Sequence, residues 1–265
     1  MTRTTNEPAL AFRIVDLGTL EASDASRFER LFAGFARIYH AAFPDASERE
    51  REEDWIARLQ GREPPPQPEV LVLLAVADGD RVLGGVCVEH YRTSRCGLVT
   101  YIAVERQHRG AGVARPLMRS AIGRLEAAAR DQGAPLHAVF AEAEDPEKVD
   151  PGLRETARER LLILGRFGAR AVDLRYVQPE LSGGGGRARH LVLLRLDGDD
   201  APIDRALLWG FMHEFYRALG IADPEADTDF AAMFEGVGAS VGTQALPSEA
   251  PGRAAMAGTD RSGYG

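Results

Sequence analysis

Six consecutive residues, Arg109-Gly110-Ala111-Gly112-Val113-Ala114, carry the most specific chemical signal in the chain. They stand where an apolar run ending at Val104 gives way to a stretch with helical spacing. The first amides of a helix have no partner inside it and sit at the positive end of the helix dipole, so together they bind phosphate oxygens. Glycine at 110 and 112 lets the backbone approach a bulky diphosphate and adopt a positive φ, and Arg109 can add charge. Pro116 falls in the first helical turn, where a missing N–H is tolerated. An ordinary tight turn also uses glycines, so the pattern takes its meaning from its surroundings. A G-x-x-x-x-G-K-[ST] loop is absent, and the four glycines 183–186 lead into a strand, which has no helix N-terminus to aim at an anion.

A second group of residues could move protons. Glu142 and Glu144 close the run "PLHAVFAEA" and, at the period of a strand, share one face. Each could accept a proton or anchor a cation; the plainer alternative is a solvated strand end running into the acidic loop 144–152. Glu89 and His90 close an earlier strand, and Tyr176 and Gln178 precede Pro179, which breaks theirs. The six histidines are scattered, and neither they nor Cys87 and Cys96 show zinc spacing, so no metal site is expected.

The elements that must position these residues follow from periodicity. Strands are expected at 11–17, 70–77, 81–91, 98–104, 135–143, 169–177 and 188–196, and helices at 26–43, 47–59, 113–131 and 153–168. Short turns, among them Asp78-Gly79-Asp80, join three neighbouring strands into an antiparallel meander. Residues 203–219 place Ile203, Leu207, Leu208, Phe211, Met212, Phe215 and Leu219 on one helical face, and 227–234 reads as one more short helix.

This order, with the glycine motif between the fourth strand and the third helix, resembles the GNAT superfamily of acetyl-CoA-dependent N-acyltransferases, whose signature is R/Q-x-x-G-x-G/A. Arg109 to Ala114 match it; a second register, Gln107-x-x-Gly110-x-Gly112, also fits the bare pattern. The resemblance spans residues 10–196 and implies an α/β fold with a mixed, mostly antiparallel central sheet flanked by helices, here with a C-terminal helical extension. It implies that Arg109, Gly110, Ala111, Gly112, Val113 and Ala114 hold the pyrophosphate of acetyl-CoA or another short acyl-CoA. It also implies that backbone groups of Ile102, Ala103 and Val104 hold the pantetheine arm in a gap between the fourth and fifth strands, the amide near Val104 polarising the thioester carbonyl. An ammonium with pKa ~10.4 must lose a proton before attacking a thioester, a task for Glu142 or Glu144. Many members have a tyrosine four residues before a "GF"-like helix end that protonates the departing thiolate. Counting back from Gly168, that position is Leu164, so either another group, with Tyr176 and Tyr101 as candidates, or solvent serves as the acid.

The implied activity is transfer of an acyl group, acetyl first, to the amine of a small molecule by direct attack in a ternary complex. The rival reading is a non-catalytic acyl-CoA-binding or regulatory module of the same fold, which Leu164 favours. A net charge of −8 speaks against general nucleic-acid binding and tilts the acceptor toward cationic amines. The N-terminal residues lack the basic region and apolar run of a signal peptide, and no stretch has the length of a membrane span, so a cytoplasmic protein is expected. Residues 1–200 are read as the acyltransferase domain and 201–236 as the helical extension, whose roles include packing on the sheet, a homodimer contact or one wall of the acceptor site. Residues 237–265, rich in Gly, Ala, Ser and Pro, are read as a disordered tail.

Overall fold

The computed structural model describes residues 10–20, 24–60, 67–181 and 186–247. In chain order the elements are β1 (Arg13–Asp16), α1 (Ala25–Ala42), α2 (Glu52–Leu59), β2 (Glu69–Ala77), β3 (Arg81–Tyr91), β4 (Cys96–Val104), α3 (Ala114–Asp131), β5 (Ala138–Glu144) and α4 (Arg154–Gly165). There follow β6 (Arg170–Val172), β7 (Leu191–Arg195), β8 (Ile203–Asp204), α5 (Arg205–Ala218), α6 (Thr228–Phe234), β9 (Ser240–Val241) and β10 (Thr243–Ala245). Eight strands form one sheet in the order β1-β2-β3-β4-β5-β7-β6-β10. Every neighbouring pair in it is antiparallel except β4 with β5. The expected mixed, mostly antiparallel sheet flanked by helices is the fold observed.

Helices cover both faces. On one, α3 lays Leu117, Met118, Ala121 and Leu125 against Leu71, Leu73, Val86, Val99 and Val139, with Leu161 and Leu164 of α4 beside them. On the other face there are two separate apolar clusters. Leu31, Phe32, Phe35, Ile38 and Tyr39 of α1, with Trp55 of α2, pack on Val72, Leu74, Cys87 and Tyr101. Leu208, Phe211, Met212, Phe215 and Tyr216 of α5 and Phe230, Met233 and Phe234 of α6 pack on Tyr91, Leu98 and Phe140. The amphipathic helix outside the family resemblance is therefore part of the core, as its apolar stripe requires.

A bulge in β4 sets which residues meet which cluster. Pairing with β3 runs Cys87 to Tyr101 and then Val88 to Val99, leaving Thr100 unpaired; its hydroxyl donates to the Cys87 carbonyl at 3.0 Å. An extra residue reverses the alternation of everything beyond it. Cys96 and Leu98 face α5, and after the bulge Tyr101 and Ala103 stay on that same face, against α1 and α2. Ile102 and Val104 turn to the α3 face.

Several boundaries differ from periodicity alone. The strand expected at 169–177 stops at Val172, because β10 pairs with it only through that residue and the Asp173 amide then bonds to the Gly242 carbonyl at 2.9 Å. The helix expected from 47 begins at Glu52, preceded by a single 3-10 turn at Ala46–Glu48. Residues 237–247 were expected in a structureless tail. Instead Ser240–Val241 pair with Ile203–Asp204 and Thr243–Ala245 form the sheet edge, backbone bonds that a composition poor in large apolar residues does not reveal; residues 248–265 lie outside the described ones. Cys87 and Cys96 are free and buried, and burial raises both thiols, Cys96 to about 12.

Gly84 lets β3 lie close to the end of β4. A Cβ there would sit 2.6 Å from the Ala103 carbonyl oxygen and 3.1 Å from Val104 Cα, backbone that cannot swing aside. Gly84→Ala is expected to destabilise the fold by about 1–3 kcal/mol, read as a lower urea midpoint with an unchanged m-value.

Candidate active site

The strand–loop–helix junction has the geometry of an anion cradle. Gly110 and Gly112 adopt φ of 81° and 82°, and the position a Cβ would take at either is open space. Among the described residues no side chain caps α3, whose first amides have no partners within the helix. Val113 is buried in the α3 core and anchors the loop, while Arg109 Nε donates to the Val104 carbonyl at 3.3 Å, drawing its charge back over the strand end. Ala111 N–H closes the loop on the His108 carbonyl at 3.2 Å, and Ala114 opens the helix.

Next to the cradle the sheet opens. β4 and β5 pair only from Cys96 with Ala138 to Val99 with Ala141. Beyond those four pairs Ile102, Ala103 and Val104 remain bonded to β3, opposite Val86, Gly85 and Gly84, and β5 goes on paired to β7 alone. The gap between the strands begins at the residue after Ala141, which is Glu142.

The two carboxylates lie two residues apart on the regular strand β5, as the spacing indicates, but take different partners. Glu144 is tied to Arg160 of α4 in an ion pair. Glu142 instead accepts hydrogen bonds from the Tyr176 hydroxyl and, at 2.9 Å, from Gln178 Nε2. Burial pushes its carboxyl up to about 7; the Tyr176 bond pulls against that, and Glu89 and Glu50 add to it. Tyr176 is raised well above its ordinary range by burial and by Glu142, so it keeps its proton and points it at that carboxylate.

The same face holds groups from the charged stretch 47–59. Arg58 of α2 forms ion pairs with Glu50 and, at 2.7 Å, with Glu89 of β3, whose other oxygen accepts from Tyr91 Oη at 2.6 Å. Burial first and then Glu89 push the Glu50 carboxyl up, while Arg58 holds it down. Tyr101 donates to the Glu48 carbonyl at 3.0 Å, and the Glu50 amide donates to both Tyr39 and Tyr101 at 3.1 and 3.2 Å. The 48–50 turn is thereby fixed, and Tyr101, one of the two tyrosines weighed as a proton donor, spends its hydroxyl on that turn. His90 is buried with neither ring nitrogen partnered among the described residues; burial lowers its pKa, and its charged neighbours are Glu69, Arg92 and Glu214. Glu50 and Arg58 were missed because "SEREREEDWIARL" reads as solvated. The available signal was the set Trp55, Ile56 and Leu59, which read as the buried residues within that charge run.

A family model described as the acetyltransferase (GNAT) family matches residues 28–148. That match assigns residues 28–148 to the GNAT acetyltransferase family. No curated protein matches it. Among solved structures, a GNAT-family protein from Bacteroides thetaiotaomicron is 15% identical with a TM-score of 0.47, over 69% of this chain and 85% of its own. The GNAT acetyltransferase from Staphylococcus aureus is 9% identical with a TM-score of 0.42, over 71% and 100%. The catalytic domain of Tetrahymena GCN5 histone acetyltransferase, solved in complex with coenzyme A, is 16% identical with a TM-score of 0.34, over 52% and 70%. No helix among the described residues is long and apolar enough to cross a membrane, and no group of three His, Cys, Asp or Glu among them could hold a metal ion.

A carboxyl whose folded pKa lies above its unfolded value of 4.5 stabilises the fold below that value, and the contribution is lost as pH rises through about 7. Glu142→Gln is therefore expected to lose less stability than the parent between about pH 4.5 and 7, seen as a flatter dependence of unfolding free energy on pH.

Proposed function

We propose that the protein is an acyl-CoA-dependent N-acyltransferase whose acceptor is the amine of a small, cationic molecule. The observation that carries this reading is the opening of the sheet between β4 and β5, with the uncapped α3 N-terminus at one end and the Glu142 carboxyl at its edge. Family membership supports the acyl donor. The donor fits the residues present: Gly110 and Gly112 leave open space for a diphosphate, and the amides of Gly112, Val113 and Ala114 would hold it. Backbone groups of Ile102, Ala103 and Val104 would line the pantetheine arm. When bound, acyl-CoA supplies the acyl group as a thioester open to attack by an amine.

Glu142 is the proton acceptor in this reading. With a pKa of about 7 it is partly ionised at neutral pH and matched to taking a proton from an ammonium. Tyr176 and Gln178 both donate to Oε1 and so orient the carboxylate, and Tyr176 keeps its own proton throughout. Glu50, Glu89 and Glu142 together face the single guanidinium of Arg58 among these four groups, an acidic excess that suits a cationic acceptor. Leu164 packs in the α3-side core where many family members carry a tyrosine, which favours the second reading, an acyl-CoA-binding module without turnover.

Two measurements separate these readings. Acetyl-CoA is expected to raise the melting temperature of the parent protein and not that of Gly112→Val, since a ligand that prefers the native state stabilises it and valine is strained at a φ of 82°. Thiol release with a panel of diamines and aminated sugars is expected to rise with pH through about 7, and Glu142→Gln to lose about a hundredfold of that rate. Stabilisation without thiol release from any amine would leave the binding module as the function.

A further inference from the structure

We propose that the C-terminal helix α5 positions the proton acceptor, acting through the hydroxyl of Tyr216 on the backbone between Tyr176 and Gln178. This rests on the acyl-transfer reading. Residues 173–178 follow β6 but are not a regular strand, so the ladder does not hold them. Their fixed points are few. The Asp173 amide bonds to Gly242, and Gln178 exchanges two 3.0 Å backbone bonds with Ala188. Between these, Tyr216 Oη donates to the Val177 carbonyl at 2.7 Å. Val177 lies between the two residues whose side chains bond to Glu142. A buried carbonyl on a segment without sheet partners needs a donor, and α5 supplies it.

Tyr216 is itself held firmly. It is fully buried, and its ring meets Phe230 of α6 edge-on at 5.2 Å between centroids. Burial raises its pKa, which keeps the hydroxyl a donor. Arg187, which follows the same segment, pairs with Asp227 and with Asp229 at 2.9 Å, and Arg189 grips Asp229 in a two-bond fork at 2.8 Å. Asp227 also caps α6 through the Asp229 and Phe230 amides. The segment bearing Tyr176 and Gln178 is thus tied directly to α5 and, through Ala188 between the two arginines, to α6, and an element outside the family match at 28–148 reaches the reacting end of the gap.

Glu142 is faced by Tyr176 and Gln178 from this segment, by Glu89 of β3 with Tyr91 bonded behind it, and by Glu50 before α2, whose charge Arg58 offsets. Both bonds from the segment favour the ionised carboxylate. Loosening them must raise the Glu142 pKa and leave the carboxylates and Arg58 where they are.

Tyr216→Phe keeps the buried ring and deletes only the donor. The acidic limb of kcat/KM for the amine is expected to move up by about one pH unit, which at pH 7 is about a fivefold loss that disappears at alkaline pH; KM for acetyl-CoA should not change. An unmoved limb, or a loss equal at every pH, overturns the proposal, because a helix that merely stabilised the fold would act in that way. The Glu142 carboxyl, followed by carbon NMR in protein labelled at glutamate, gives the same answer without turnover. A higher midpoint in Tyr216→Phe supports positioning, and an unchanged one overturns it. Absence of acyl transfer by the parent protein would instead count against the reading of function, and the NMR midpoint would still decide the role of Tyr216.

Discussion

Two strands that run parallel for four residue pairs and then part are the constraint around which the rest of the molecule is arranged. A sheet that loses pairing in its middle exposes backbone donors and acceptors that must be satisfied by something. Each strand is secured on its far side, β4 by β3 and β5 by β7, so the opening does not propagate. The bulge at Thr100 comes at the point of parting. It lets β4 lean away while keeping Tyr101 and Ala103 against the α1–α2 cluster. Without the extra residue those two side chains would exchange faces with Ile102 and Val104, and the 48–50 turn would lose the tyrosine that fixes it.

The gap also explains the buried charge. On the face away from α3, the two apolar clusters under α1–α2 and α5–α6 are separate. On that face Arg58 bonds to Glu50 and Glu89, and Tyr176 bonds to Glu142, whose charge Glu89 and Glu50 oppose. Burying carboxylates is costly unless they are bonded or neutralised. Glu89 meets that cost with Arg58 and Tyr91, whereas Glu142 has hydrogen bonds but, among the described residues, no ion pair. A proton acceptor needs that imbalance: a carboxylate fully paired with a guanidinium would have little affinity for a proton at neutral pH.

Much of this was legible in the residues. The glycine motif between an apolar run and a helical pattern marked a turn with two positive-φ glycines at the start of α3, and Leu208, Phe211, Met212, Phe215 and Tyr216 marked a buried helix. Glu142 stood out, together with Glu144, because both close an expected strand and share one of its faces. What could not be read was where long-range pairing stops. Residues 169–177 have the composition of a strand throughout, yet they leave the sheet after Val172 because their partner is a three-residue strand seventy positions later. Glu50 and Arg58 were hidden for a related reason. Local charge density says solvent, and only the tertiary contact with Glu89 makes them interior. Tyr216 gave no sign of its hydroxyl's role, since an aromatic on an apolar stripe looks the same whether or not its polar tip has a task.

The two cysteines acquire a meaning that the sheet alone did not suggest. Both thiols are sealed within the core and carry raised pKa values, so in the folded chain almost no thiolate meets solvent. A colorimetric disulfide reagent added to intact protein therefore meets no competing sulfur from the polypeptide. Each unfolded molecule, in contrast, presents two equivalents at once. The same reagent that reports liberated coenzyme A over seconds will, in a sample without substrate, count the chains that have come apart.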